Sequence, residues 1–403
     1  MRIALVTAGS RGDVEPFAAL ARRAIDAGHD VALAVPQDPG VDLSGLPVRH
    51  LRISFHDLVG DAGVSPVAAL RTFRSTIRPA MARMLEDALR TILQLRPDVV
   101  VHHPKVLTAP VAATHLGVPS VVVSAVPALS ATRAFPAPGV VARDLGGPLN
   151  RLTYSALRGS SAMFAGDVRR AARRAGVSGP ADPPHASLAP VSPELLSRPA
   201  DWPASARLTG SWPPATGGAA LPAGVQAFMD RGPFLYAGFG SMTGGDPLER
   251  ARTVIVSARV VGLRILLATG WGGLALPRDL AGDGDVLAVP EVDHDVVLPR
   301  AEVAVHHGGA GTVHAALRAG TPSVVVPFAA DQAFWGAAVA ARGLGPAPVP
   351  STKLSRGRLQ PALERALTQR AHVAQVGARV RAEDGIAVTL EVLADAVGTA
   401  YVA

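Results

Sequence analysis

The sequence predicts an α/β protein built from two doubly wound parallel sheets, and three observations carry that reading. A short apolar run at Arg2–Thr7 is followed by a glycine-bearing turn, an apolar set at helical spacing and a second apolar run at Val31–Val35, which together make one strand-helix-strand unit. A second alternation of the same kind begins near Phe234. Between the two, residues 179–224 are crowded with proline and glycine, as a connection would be. The expected division is a first Rossmann-like domain at 1–205, a second at 206–385 and a last segment at 386–403, with the two domains facing one cleft.

Each element follows from local pattern. Phe17, Leu20, Ala21, Ala24 and Ile25 recur at helical spacing, and Gly28 supplies the stop. Leu70, Phe73, Ile77, Met81, Met84, Ala88, Ile92 and Leu95 form one apolar helix face interrupted at Pro79. Arginines line its other side, so it reads either as a kinked pair packed on the sheet or as a basic element lying on a membrane surface. Val99–Val101 and Ser120–Val123 continue the first sheet. Phe234–Phe239, Ile265–Ala268, Val286–Val289, Val303–Val305 and Ser323–Val326 supply the second.

Composition narrows the function. In 403 residues, 48% hydrophobic, no apolar run reaches the roughly 18 residues that span a bilayer. With no cysteine there is no disulfide framework, and the opening lacks the flanks of a secretory signal, so a cytoplasmic protein is expected. The net charge of +7 comes from scattered arginines, aromatics make up 4%, and no nucleic-acid-binding motif is present. Nucleic acid is therefore not an expected partner.

The turn Val305-His306-His307-Gly308-Gly309-Ala310-Gly311-Thr312 leaves a predicted strand and enters a predicted helix. Its glycines allow close backbone approach, Thr312 offers a hydroxyl, and His307 can donate to an oxyanion, which suits a diphosphate at a helix N-terminus. A tight turn that merely packs its helix is the plainer reading. His306, His307 and His314 with Asp293 or Asp295 also suggest a metal, but adjacent strand residues point to opposite faces, and no metal site is expected. Asp331 and Gln332 could bind vicinal sugar hydroxyls or cap a helix. Asp13, in the first strand-to-helix turn, could take a proton from a hydroxyl or simply complement the helix dipole. Ala8-Gly9-Ser10-Arg11-Gly12 departs at Ala8 from the hydrolase nucleophile elbow, and neither Lys105 nor Lys353 lies in a kinase-type phosphate loop.

Val289-Pro290-Glu291-Val292-Asp293-His294-Asp295, His306 to Thr312 and Pro327 to Gln332 resemble the nucleotide-sugar region of Leloir-type glycosyltransferases of the GT-B architecture. Gly9-Ser10-Arg11-Gly12-Asp13-Val14-Glu15-Pro16 resembles the branch that acts on glycopeptides, sterols and other natural products. The resemblance implies a first domain for the acceptor, a second for the donor, and a last helix, near Ile386–Val397, that returns to the first. It implies an inverting transfer from a UDP- or dTDP-sugar to a hydroxyl of a hydrophobic aglycone, with no metal or other cofactor. Asp13 would stand where many relatives carry a catalytic histidine. Ser10, Ser241, Trp271, Val289, Val292, His307, Gly309, Gly311, Thr312, Asp331 and Gln332 would meet the donor. His102, Val126, Leu129, Phe135 and Met163 would border the acceptor. A nucleotide-sugar epimerase or a non-catalytic partner protein is the alternative on the same fold.

Overall fold

The computed structural model describes residues 1–55, 73–213, 221–240, 242, 244–270 and 272–400. The chain forms two units, one of Met1–Val191, Arg198–Ala215 and Asp384–Ala403 and the other of Ser192–Ser197 and Thr216–Glu383.

The first unit contains strands β1 (Arg2–Val6), β2 (Asp30–Pro36), β3 (Val48–Leu51), β4 (Val99–His102), β5 (Ser120–Val123), β6 (Ala186–Ala189) and β7 (Ala206–Leu208). All are parallel, in the order β3-β2-β1-β4-β5-β6-β7. Helices α1 (Arg11–Asp26), α2 (Arg78–Leu95), α3 (Ala109–Leu116), α4 (Gly147–Ala162) and α5 (Ala165–Arg174) connect them. Alternate residues of the central strands feed two cores: Ile3, Leu5, Val99 and Val101 face α1, and Val6 and Val100 face α2. Pro79 does not break the predicted long helix. It sits in the first turn of α2, after a π-helical turn at Phe73–Ile77, where its missing N–H costs nothing. The face from Met81 to Ile92 is buried core; Leu70 lies outside the described residues.

The proline-rich stretch is not a plain linker. It supplies the buried strand β6 and the short strand β7 at the edge of the sheet, so this unit runs past 205 to Ala215. Period-two patterning is too brief in three or four residues to announce such strands.

The second unit contains α6 (Ala223–Asp230), β8 (Phe234–Gly238), α7 (Pro247–Val260), β9 (Arg264–Ala268), β10 (Val286–Val289), α8 (His294–Val297), β11 (Val303–His306), α9 (Ala310–Ala319), β12 (Ser323–Val325), α10 (Gln332–Ala341), α11 (Arg356–Thr368) and α12 (Arg370–Arg381). Its parallel sheet runs β10-β9-β8-β11-β12.

The last helix, α13 (Gly385–Ala400), belongs to the first unit. Ile386, Val392 and Leu393 join Phe17, Leu20 and Ala24 in one core, and burying a leucine of this kind contributes roughly 1.5–3 kcal/mol. Asp384 accepts the Ala387 N–H at 2.9 Å and pairs with Arg23 at 2.7 Å. A β-carbon at Gly385 would lie 2.7 Å from both the Gly210 carbonyl and the Trp212 ring. Gly385→Ala is therefore expected to destabilise the protein by about 1–3 kcal/mol, read as a lower unfolding midpoint in denaturant. An unchanged midpoint would mean the start of α13 is not tightly seated.

Candidate active site

In each sheet the winding reverses at one strand pair, and the turns after that pair diverge to leave a crevice at the carboxyl edge. In the first unit the pair is β1 and β4. Asp13, the third residue of α1, folds its carboxylate back over the turn, where Oδ2 accepts the Ser10 N–H at 2.9 Å. Gly9 makes this possible: its φ is +144°, and a β-carbon there would overlap the Asp13 carboxylate. The turn after β4 supplies two more partners. His103 Nε2 lies 3.1 Å from Oδ1, and the Lys105 ammonium donates to Oδ2 at 2.9 Å.

The His103 tautomer follows from its neighbours. Nδ1 accepts the Lys105 backbone N–H at 3.2 Å, so Nε2 carries the proton and donates it to Asp13. With both nitrogens engaged, His103 orients the carboxylate and has no lone pair left for a substrate proton. Burial of Asp13 pulls its pKa upward, but the Lys105 charge and the hydrogen bonds from His103 and Lys105 outweigh it and hold the group well below the ordinary carboxylate range.

His102 does something else. It is buried, its Nδ1 lies 3.2 Å from the His103 carbonyl, and its Nε2 has no hydrogen-bond partner among the described residues. The side chain that reaches the carboxylate is the next one along, because strand alternation sends the two rings different ways. Val126 and Leu129 line, with Trp202, a cavity of only about 10 Å³. Phe135 meets Trp202 edge-on at 6.5 Å, while Met163 is half exposed at the end of α4. The structure thus gathers three of the expected acceptor residues around Trp202 and leaves Met163 apart from them.

In the second unit the reversal falls between β8 and β11. Gly309 caps α9 with no side-chain hydrogen bond among the described residues, an arrangement in which the N–H groups of the first turn can meet an anion. Gly311 and Thr312 lie in that turn. The His307 ring packs against Gly309, where a β-carbon would come within 2.5 Å of Nε2, and beside Gly240. Burial lowers its pKa to about 4, partly offset by the Gly238 carbonyl. Val289 and Pro290 turn their carbonyls inward to Thr269 and Gly270, at 2.9 and 2.8 Å, and Val292 packs on the core below.

Gln332 is not presented to solvent. Its Oε1 accepts the Phe328 and Ala329 N–H groups at 2.7 and 3.1 Å, which braces the turn before α10. Asp331 takes the Trp335 indole N–H at 2.6 Å. Ala330, just before Asp331, holds a left-handed φ of +55°, a strained choice for a residue with a β-carbon. Ser241 and Trp271 lie outside the described residues. No group of three metal-ligating side chains occurs among the described residues. His306 Nδ1 accepts the Gly308 N–H, His314 donates to the Ala310 carbonyl, and Asp295 pairs with Arg318. No described helix is long and apolar enough to cross a membrane.

Two family models match the chain: the glycosyltransferase family 28 N-terminal domain over residues 3–125, and the erythromycin biosynthesis protein CIII-like C-terminal domain over 281–390. The chain is 32% identical to vancomycin aglycone glucosyltransferase of Amycolatopsis orientalis, covering 98% of each protein. It is 33% identical to O-mycaminosyltylonolide 6-deoxyallosyltransferase of Streptomyces fradiae, over 96% of this chain and 95% of the relative. Among solved structures, the glycosyltransferase SnogD from Streptomyces nogalater superposes with a TM-score of 0.66 at 22% identity, covering 98% and 99% of the two chains. The glycosyltransferase VinC, solved in complex with dTDP, gives 0.69 at 20% identity over 99% and 100%. Both have the fold described above.

The buried histidines set a pH dependence. Burial lowers His102, His307 and His314 to about 4 and His306 to about 3, whereas an unfolded histidine titrates near 6.5. Below about pH 6.5 the unfolded chain binds more protons, so stability falls as the pH drops toward 4. Asp13, also depressed, adds a loss of the same sign at lower pH. Urea midpoints measured from pH 7.5 to 4.5 are expected to fall steadily, and His314→Gln to flatten the slope; a pH-independent midpoint would contradict neutral burial.

Proposed function

Because the chain belongs to the glycosyltransferase family that includes vancomycin aglycone glucosyltransferase, we propose that it moves a sugar, with inversion, from a UDP- or dTDP-sugar to a hydroxyl of a hydrophobic natural-product or sterol-like acceptor. The observation that carries the reading is the Asp13 carboxylate, ionised and oriented between His103 and Lys105 at the winding reversal of the first sheet. As the acceptor oxygen attacks the anomeric carbon, its proton passes to Asp13, the new C–O bond forms and the bond to the diphosphate breaks. A base with so little proton affinity suits a transfer in which the proton moves late, when the attacking oxygen has become acidic.

The departing diphosphate gains negative charge. In this reading it is met by the open N–H groups of Ala310, Gly311 and Thr312, the Thr312 hydroxyl, the positive end of α9 and His307. Those donors make a metal unnecessary. Asp331, with Gln332 bracing its turn, faces the sugar; Ser10, Ser241, Trp271 and the Val289–Val292 backbone complete the donor contacts. The exposed Leu129 and Met163 and the half-buried Val126 and Phe135 support an apolar acceptor.

Asp13→Asn is expected to leave nucleotide binding nearly unchanged and to cut turnover by roughly a hundredfold or more; wild-type turnover would remove Asp13 from the chemistry. Calorimetric titration with UDP and dTDP, each with and without EDTA, is expected to show metal-independent binding that His307→Ala weakens. Binding abolished by EDTA and restored by a divalent ion would reverse the metal reading. Unaltered titration of His307→Ala would move the diphosphate elsewhere.

A further inference from the structure

One buried charge in the second unit has no part in the chemistry above. Arg250 is the fourth residue of α7 and only 7% exposed. The position is unfavourable twice over. A cation in the first turn opposes the positive end of the helix dipole, and a buried guanidinium ordinarily needs a carboxylate. Asp246, the nearest acid, caps the helix instead, accepting the Leu248 and Glu249 N–H groups at 2.8 and 3.3 Å. Among the described residues Arg250 makes no salt bridge.

Its contacts reach three turns at the carboxyl edge of the sheet, two through hydrogen bonds and one through a ring face. Nε donates to the Gly273 carbonyl at 3.0 Å, in the turn after β9, and Nη1 donates to the Gly244 carbonyl, in the turn after β8. The guanidinium also lies 5.4 Å from the ring centroid of Phe328, in the turn after β12. The same turns touch one another directly. A β-carbon on Gly270 would come within 2.5 Å of the Gly240 carbonyl, and the Gln332 amide nitrogen lies 3.3 Å from Met242 Sδ.

We propose that Arg250 is a positioning residue of the nucleotide-sugar site, clasping the turns after β8, β9 and β12 into the single arrangement that binds the donor. The inference rests on the donor-site reading given above, since the turn after β12 carries Asp331 and His307 packs beside Gly240 in the turn after β8. Only a planar fork with a stackable face satisfies two carbonyls and an aromatic ring at once. A lysine can reach one carbonyl at a time. Arg250 has almost no exposed surface, so it acts through the turns and does not touch the ligand.

The test compares wild type, Arg250→Lys and Arg250→Met by thermal melting, by titration with UDP and dTDP, and by steady-state kinetics. Both variants are expected to weaken nucleotide binding by roughly tenfold or more, on the scale of a lost supporting contact. The donor KM should rise while the acceptor KM stays within about twofold. Arg250→Lys should recover much of the melting temperature and little of the affinity, a split that a merely structural arginine would not produce. If Arg250→Met does not fold, the lysine variant decides alone. Nucleotide affinity within about twofold of wild type in a folded variant would overturn the proposal. Failure of the wild-type protein to bind either nucleotide would instead overturn the donor-site reading, and this inference with it.

Discussion

The pairing of two parallel strands at the point where each sheet reverses its winding is the constraint on which everything else depends. In the first unit the register sets Val6 opposite His102, so the turns that follow bring Asp13 against His103 and Lys105 although about ninety residues separate them. In the second unit His306 lies opposite Gly238, so His307 is delivered to the Gly238–Gly240 turn. Neither constellation needs a special loop to assemble it. The ladder hydrogen bonds and the apolar strands beneath supply the precision, and the turns inherit it.

That inheritance explains which parts were legible in the sequence. The central strands are near-continuous apolar runs, buried on both faces, and each was readable with its helix partner. The short edge strands β6 and β7 hid inside a proline-rich stretch because three or four residues are too few to show a period. Among the candidate positions, Asp13 and the glycine-rich turn stood out because each sits where a strand becomes a helix. His103 did not, because it adjoins His102 and nothing local tells which of two neighbouring rings turns toward a residue so far away in sequence. Arg250 was invisible for a similar reason: its partners are backbone carbonyls and a ring face, and those leave no mark in composition. The sequence leaves Gln332 open between a sugar-facing group and a helix cap, and in the structure its amide oxygen accepts two N–H groups of the turn before Asp331.

Each unit carries departures from local comfort. Gly9 and Ala330 take positive φ angles, His102, His103, His306 and His314 are buried, and Arg250 is buried with no ion pair among the described residues. Such departures accumulate where surrounding structure over-determines the conformation. Several of them lie toward the carboxyl edges of the two sheets, while the opposite edges carry the helix stops Gly117 and Gly320 and the left-handed Arg96 that ends α2.

Lys105 gives the arrangement a chemical handle. Of 39 basic residues only Lys105 and Lys353 are lysines, and at Asp13 the choice has a geometric reason. An arginine fork would cover both carboxylate oxygens, whereas an ammonium takes one and leaves the other to His103. A chain so poor in primary amines offers acylating and reductive-alkylating reagents just two side-chain targets besides its N-terminus. Lys353 is exposed and Lys105 is tethered to the carboxylate, so the relative labelling of the two amines reports whether that carboxylate is engaged, with Lys353 serving as the reference within the same molecule.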